Sequence, residues 1–196
     1  MKDSFLSKIA SFAVGCLALI CLFSTTAFSV DLDNADHPVT TVILVRHAEK
    51  RIVPPENKDP DISAAGQARA KELARMFGDA GITAIYATQY KRTQQSAKPL
   101  ADKLGIEVKT FDAKKTPDLI KEIHARNMGQ VIFIVGHNNT VPEIIAALGG
   151  PQLPTIPEPE FDNLYILTVT GNGAKLLKMK YGSSLPVTGQ EMMRNP

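Results

Sequence analysis

The chain has 196 residues, enough for one domain with a sizeable core plus an appendage. Its 22 basic and 20 acidic residues leave a formal charge of +2, and aromatic residues make up 6% with no tryptophan. That balance argues against a nucleic-acid stripe or a polybasic membrane surface.

The appendage is at the front. Lys2 and Lys8 flank its start, residues 9–23 are apolar apart from small residues, and Ala27 and Ser29 form a small-x-small exit before Val30. A basic start, an apolar middle and a small-residue exit define a secretory signal peptide, here residues 1–29. An uncleaved anchor is the rival, because residues 5–23 approach spanning length. Ser7, Lys8, Ser11 and the cleavage site favour removal, and Ala13-Val14-Gly15-Cys16 matches a lipoprotein box only loosely. Both cysteines, Cys16 and Cys21, lie inside this segment. The remaining chain then has no disulfide, thiolate nucleophile or cysteine metal site. The expected address is export, most simply to a bacterial periplasm.

Residues 30–40 read as a polar tether into the first strand, and residues 41–196 as the catalytic domain. The run Thr41-Val42-Ile43-Leu44-Val45 is apolar without alternation, as suits a strand buried on both faces of an α/β sheet. It leads into Arg46-His47-Ala48-Glu49. Residues 51–61 hold three prolines and five charges, a loop long enough to fold over a site. Ser63 is placed to cap a helix that runs to Phe77 and stops at Gly78. A strand over 82–87 passes into a helix ending near Leu104, and Gly105 precedes a short edge strand over 106–109. Thr116-Pro117 opens a third helix. The second fully apolar strand, residues 131–135, runs into Gly136-His137-Asn138-Asn139-Thr140. A short helix over 142–148, with Thr140 as its cap, is followed by a proline-rich loop, residues 151–159. Strands over 164–169 and 174–180 form a hairpin. The alternation of strand and helix predicts a three-layer α/β/α sandwich with a mostly parallel central sheet and a mixed edge.

Three loops each place a cation or a histidine just past a strand: Arg46 and His47, then Arg92, then His137. Open α/β sheets bind ligands at the carboxyl ends of their strands. A nucleophile ringed by fixed positive charge is what phosphoryl transfer requires. Gly136 lets a backbone approach a ligand closely. Each residue alone has a plainer reading, His137 as a structural histidine and Arg92 as a solvated helix charge. Their coincidence at successive strand ends is the stronger signal.

These segments resemble the histidine phosphatase superfamily, also called phosphoglycerate mutase-like, from about Thr41 to Tyr181. Arg46-His47-Ala48-Glu49 is similar to its Arg-His-Gly motif, with Ala48 in place of glycine. Ile62-Ser63-Ala64-Ala65-Gly66 resembles the Leu-Ser/Thr-x-x-Gly opening of its first helix. The stretch from Tyr86-Ala87-Thr88 through Arg92-Thr93-Gln94-Gln95-Ser96-Ala97 resembles its arginine segment, and Gly136-His137-Asn138 its second histidine motif. Four motifs in the right order outweigh any one of them. The resemblance implies that His47 attacks phosphorus and becomes a phosphohistidine, later hydrolysed by water. It further implies that Arg46, Arg92 and His137 clamp the phosphoryl oxygens, with Asn138 beside them, and that no metal or other cofactor is needed. His137 would be protonated when phosphate is bound.

The proton donor is the open position. Asn138 follows His137 where an acid-phosphatase pattern has aspartate. Glu49 and Asp112 are the candidates, each with a solvated charge as the plainer role, and Glu56, Glu160 and Asp162 are loop alternatives. Asp162 and Asn163 are also placed to orient the loops around His137, or simply to turn the chain into a strand. The expected activity is an exported phosphatase acting on a phosphorylated small molecule or an envelope glycan. The alternatives are a phosphohistidine protein phosphatase and a non-catalytic phosphate- or phosphosugar-binding protein; a phosphate-moving mutase is disfavoured by the small size and the missing acid.

Overall fold

The computed structural model describes residues 38–158 and 160–182. The expected signal peptide and most of the expected tether lie outside them. The described chain forms six strands and four helices: β1 Thr40–Arg46, α1 Ala64–Phe77, β2 Ile82–Thr88, α2 Lys91–Leu104, β3 Val108–Phe111, α3 Thr116–Arg126, β4 Val131–Gly136, α4 Thr140–Ala147, β5 Asn163–Thr170 and β6 Gly173–Lys180.

All six strands join one sheet in the order β3-β2-β4-β1-β5-β6. The pairs β2–β3, β2–β4 and β1–β4 are parallel, whereas β1–β5 and β5–β6 are antiparallel. This is the mostly parallel sheet with a mixed edge that the alternation predicts. The apolar runs of β1 and β4 occupy the centre because each strand has a helical layer on both faces. Val42 and Leu44 point into one core with Leu119 and Ile123 of α3 and Val141, Ile144 and Ile145 of α4. Ile43 and Val45 point into the other, with Leu73 and Phe77 of α1 and Ala97 and Leu100 of α2. Period-two alternation along one strand therefore feeds two cores, and that makes the three layers.

Several boundaries shift for local reasons. β1 runs through Arg46, which pairs with Gly136, so the arginine is still strand when it reaches the sheet edge. β3 starts two residues later than expected. Gly105 ends α2 in the left-handed conformation (φ 65°), and the Ile106 N–H closes the helix by donating to the Ala101 carbonyl. That is the Schellman ending, and Ile106 is spent on it. Gly78 follows α1 with ordinary right-handed angles, φ −63° and ψ −15°; the left-handed glycine stands further on, at Gly81. α4 begins at Thr140, with Pro142 inside its first turn, where the missing N–H has no helical partner to lose.

Candidate active site

Strands β2, β4 and β1 are neighbours and parallel, so their carboxyl ends meet at one edge of the sheet. β1 delivers Arg46 and His47, β4 delivers His137, and β2 delivers Thr88 just ahead of Arg92 on α2. The His47 N–H donates to the Gly136 carbonyl at 2.9 Å, which ties the two histidine loops together. The imidazole rings of His47 and His137 then lie edge to face, 5.4 Å between centroids. The structure thus brings together His47, Arg46, Arg92 and His137 from three separate stretches of the chain.

His47 is oriented by its own backbone. Its Nδ1 lies 2.8 Å from the Ala48 carbonyl oxygen. A carbonyl only accepts, so Nδ1 carries the proton and Nε2 keeps its lone pair. Burial holds the ring neutral and lowers its pKa to about 3; the bond to Ala48 opposes this, and the charges of His137, Arg46 and Arg92 add to it. The Ala48 N–H in turn donates to Ser96 Oγ at 2.8 Å, and that hydroxyl donates to the Arg92 carbonyl at 2.6 Å. One serine of α2 therefore fixes the His47 loop relative to Arg92.

His137 is set from both sides. Its Nε2 lies 2.8 Å from Thr88 Oγ1, and Thr88 Oγ1 lies 2.8 Å from Thr93 Oγ1. An Arg92 Nη2 hydrogen faces Nδ1 at 3.4 Å. An arginine only donates, so Nδ1 accepts and Nε2 carries the proton into the threonine pair. Burial first, then Arg92 and Arg46, lower the His137 pKa to about 4. A phosphoryl dianion between the rings would work against both cation effects and favour the protonated form.

The two arginines are held differently. Arg46 is 1% exposed, and its Nη1 donates to the carbonyls of Pro157 (3.1 Å) and Glu160 (3.2 Å). Its Nη2 pairs with the Glu158 carboxylate, and its Nε–H has no hydrogen-bond partner among the described residues. The guanidinium also lies 4.3 Å above the centre of the Phe161 ring. Arg92 stacks at 4.4 Å on Tyr90 and faces Asp59 across 3.6 Å. Asp59 comes from the 51–61 loop, which is pinned at its base by Arg51 N–H to the Asp61 carbonyl and near its end by Lys91 N–H to Asp59 Oδ1 (3.0 Å). The loop does reach the site. A cleft of about 510 Å³, lined by Arg51, Asp61, Gln67, Lys71, Gln95 and Lys98 among others, includes none of Arg46, His47, Arg92 and His137.

The proton-donor candidates are placed elsewhere. Glu49 is engaged by Arg69, whose Nε donates to both its oxygens (2.9 and 3.0 Å) and whose Nη2 donates to Oε1 at 2.7 Å. Asp112 follows β3, the strand two removed from β4, and its carboxylate accepts from the Lys114 N–H. Glu160 accepts from Asn163 and Lys180, and Asp162 accepts from Lys180. Glu56 is exposed on the loop. Asp162 and Asn163 therefore brace the start of β5 and touch the cluster only through the Glu160 carbonyl.

Two readings of the second histidine loop change. What approaches Gly136 is protein: a Cβ there would lie 2.8 Å from Thr140 Oγ1 and 3.0 Å from Val141 Cγ2. Thr140 is the first residue of α4, not its cap, and its hydroxyl accepts the His137 N–H at 2.7 Å. Asn138 is half-buried, and its carbonyl accepts the Ile156 N–H, binding the 151–159 loop to the site. Among the described residues no group of three or more His, Cys, Asp or Glu side chains is arranged to hold a metal ion.

The sequence motifs missed Phe161, Tyr90, Asp59 and Glu158 as neighbours of the cluster. Tyr90 and Asp59 border recognised segments. Phe161 and Glu158 reach Arg46 across more than a hundred residues, and no spacing rule links them.

Residues 42–115 match the model of the histidine phosphatase superfamily (branch 1), the stretch that carries Arg46, His47 and Arg92. Over that stretch, 74 of the 196 residues, the chain is similar to the histidine phosphatase superfamily. Solved structures show the same fold at low identity. A candidate phosphohistidine phosphatase, SixA, from Agrobacterium tumefaciens is 22% identical, with a TM-score of 0.57 over 73% of this chain and 99% of that one. YhfR from Bacillus stearothermophilus is 15% identical, with a TM-score of 0.59 over 74% and 98%. A mycobacterial glucosyl-3-phosphoglycerate phosphatase is 12% identical, with a TM-score of 0.56 over 74% and 100%. No curated protein sequence matches the chain. Gly66 also has a physical reason. A Cβ there would stand 2.3 Å from the Glu49 carbonyl oxygen, so the helix motif needs glycine to pass the loop after His47.

Proposed function

We propose that the protein is an exported phosphatase that hydrolyses a phosphomonoester through a phosphohistidine on His47. The observation that carries this reading is the state of His47: neutral, protonated on Nδ1 by its bond to Ala48, with Nε2 free beside two arginines and a second histidine. The Nε2 lone pair attacks phosphorus while the phosphorus–oxygen bond to the leaving alcohol breaks. Arg46, Arg92 and His137 hold the equatorial oxygens, supplying the positive charge that the transition state needs without a metal ion. Water then attacks the phosphohistidine, and the nitrogen–phosphorus bond breaks to return His47 and release phosphate.

Similarity to the superfamily over residues 42–115 supports phosphatase chemistry, and the leader-like residues 1–29 support export to a periplasm. The substrate class that suits this address is a phosphorylated small molecule or envelope glycan. The similarity to SixA favours a second reading, in which the substrate is a phosphohistidine carried by a protein. A phosphate-binding protein without turnover is the alternative of another class.

The test is hydrolysis of p-nitrophenyl phosphate by the chain from Val30, with EDTA present, beside His47→Ala. We expect turnover by the first, loss of at least ~10³-fold in the second, and acid-stable labelling of neither. Equal rates in the two proteins would reject the phosphohistidine route. Absence of turnover with retained phosphate binding would select the binding-protein reading. Fractionation of cells producing the full chain tests the address, which cytoplasmic retention would overturn.

A further inference from the structure

Three of the described acids around the cluster are held by partners that have no part in binding phosphate. Glu49 belongs to Arg69, and Glu160 and Asp162 to Lys180. Asp59 pairs with Arg92, yet it is anchored as well by the Lys91 backbone N–H. Glu158 differs. Among the described residues its carboxylate has one partner, Nη2 of Arg46, and its side chain is 57% exposed.

The position matters as much as the partner. Nη1 of Arg46 is taken up by two backbone carbonyls, which leaves Nε and Nη2 as the edge able to grip two phosphoryl oxygens at once. Glu158 occupies one donor of that edge while Nε–H has no partner. Its charge also acts on Arg92, the other arginine of the cluster. The residue lies in the 151–159 loop, tied to the second histidine loop by Ile156 N–H to the Asn138 carbonyl.

We propose that Glu158 is the proton donor to the leaving group, parked on Arg46 until the substrate's phosphoryl oxygens displace it. This rests on the phosphatase reading above. A phosphoryl dianion takes over Nη2, and the displaced carboxylate exchanges a neighbouring cation for a neighbouring anion. It is the protonated form of this displaced carboxyl that acts. As His47 Nε2 bonds to phosphorus, the phosphorus–oxygen bond breaks, its electron pair goes to the ester oxygen, and Glu158 protonates that oxygen. In the second step Glu158, now a carboxylate, takes a proton from the water that attacks phosphorus. The phosphohistidine bond breaks with its pair returning to Nε2, and the carboxyl is regenerated.

The test compares Glu158→Gln with the parent chain on two substrates, p-nitrophenyl phosphate, whose leaving group needs little protonation, and 2-glycerophosphate, an alkyl ester that needs a full proton. The amide still accepts from Arg46 but has no acidic proton to give. We expect kcat on 2-glycerophosphate to fall by ~10²-fold or more, against a fall of about threefold on p-nitrophenyl phosphate. A steeper dependence of kcat on leaving-group acidity across a series of aryl phosphates is the accompanying signature. Equal losses on both substrates, or no loss on either, would overturn the assignment while leaving the phosphatase reading intact. A parent chain inactive on both would overturn the two together.

Discussion

Arg46 and Arg69 are both buried and both face a carboxylate, yet they do opposite work. Arg69 lies on α1 and spends its groups on fixed partners: Nε and Nη2 on Glu49, Nη1 on the Tyr181 carbonyl at 3.0 Å. It joins the loop after His47 to the end of β6, as a brace. Arg46 fastens one side to the backbone and leaves the other with an unpartnered Nε–H and a half-exposed carboxylate. Burying a guanidinium while leaving donors unmet costs stability, and an exchangeable partner is what a ligand site needs. A saturated arginine holds a fold together; an unsaturated one is a site.

The sharpest way to break this contrast is to change both arginines. Arg46→Lys keeps the charge but loses the fork, and kcat/KM for p-nitrophenyl phosphate should fall by ~10²- to 10³-fold. Arg69→Met should leave kcat/KM within about fivefold while lowering the unfolding free energy by about 3 kcal/mol, because it strands Glu49. Urea denaturation and steady-state kinetics on the same preparations read both. If Arg69→Met abolishes activity in folded protein, the division of labour is wrong.

Gly66→Ala probes the brace from its other side. The added Cβ meets the Glu49 carbonyl at 2.3 Å, a contact with backbone that has little room to retreat. Overpacking of this kind should cost about 2 kcal/mol, measured as a lower urea midpoint at unchanged slope.

The pH dependence of stability should come from the reactive cluster, not the brace. His47 and His137 are held neutral, with pKa values lowered to about 3 and about 4 by burial and neighbouring cations. In the unfolded chain both titrate near 6.5, so below that pH the unfolded state binds more protons. Their contribution is complete above about pH 6.5 and declines as pH falls toward 4 and then 3. Urea midpoints between pH 7 and pH 4 should fall for the parent chain and fall less steeply in His137→Gln. An equal slope in the two proteins would mean that other groups govern it.

Most of the frame was legible because the responsible interactions are local or repetitive. The apolar runs of β1 and β4 announced strands with two buried faces, and Ser63 announced a helix start, which its hydroxyl secures by accepting the Gly66 N–H at 3.1 Å. His47, Arg92 and His137 were visible because motif residues follow strands, and parallel neighbours bring strand ends together. The rest depended on contacts no spacing encodes. Glu49 looked like a free carboxylate until Arg69, twenty positions on, was folded against it. The chain at Glu158 looked like ordinary proline-rich loop, since only the antiparallel insertion of β5 beside β1 brings it to Arg46. Thr140 looked like a helix cap because capping residues and first-turn residues share the same chemistry.

The bonds from Arg46 to the carbonyls of Pro157 and Glu160 have a consequence for how this protein can diverge. A carbonyl is the same whatever side chain its residue carries, so the arginine dictates the path of the loop without dictating its composition. Substitutions at Gln152, Leu153 or Thr155 can alter what the loop presents to a substrate while its course over the site stays registered to Arg46. New specificity at this mouth is therefore accessible by single side-chain changes, with no rebuilding of the backbone that carries them.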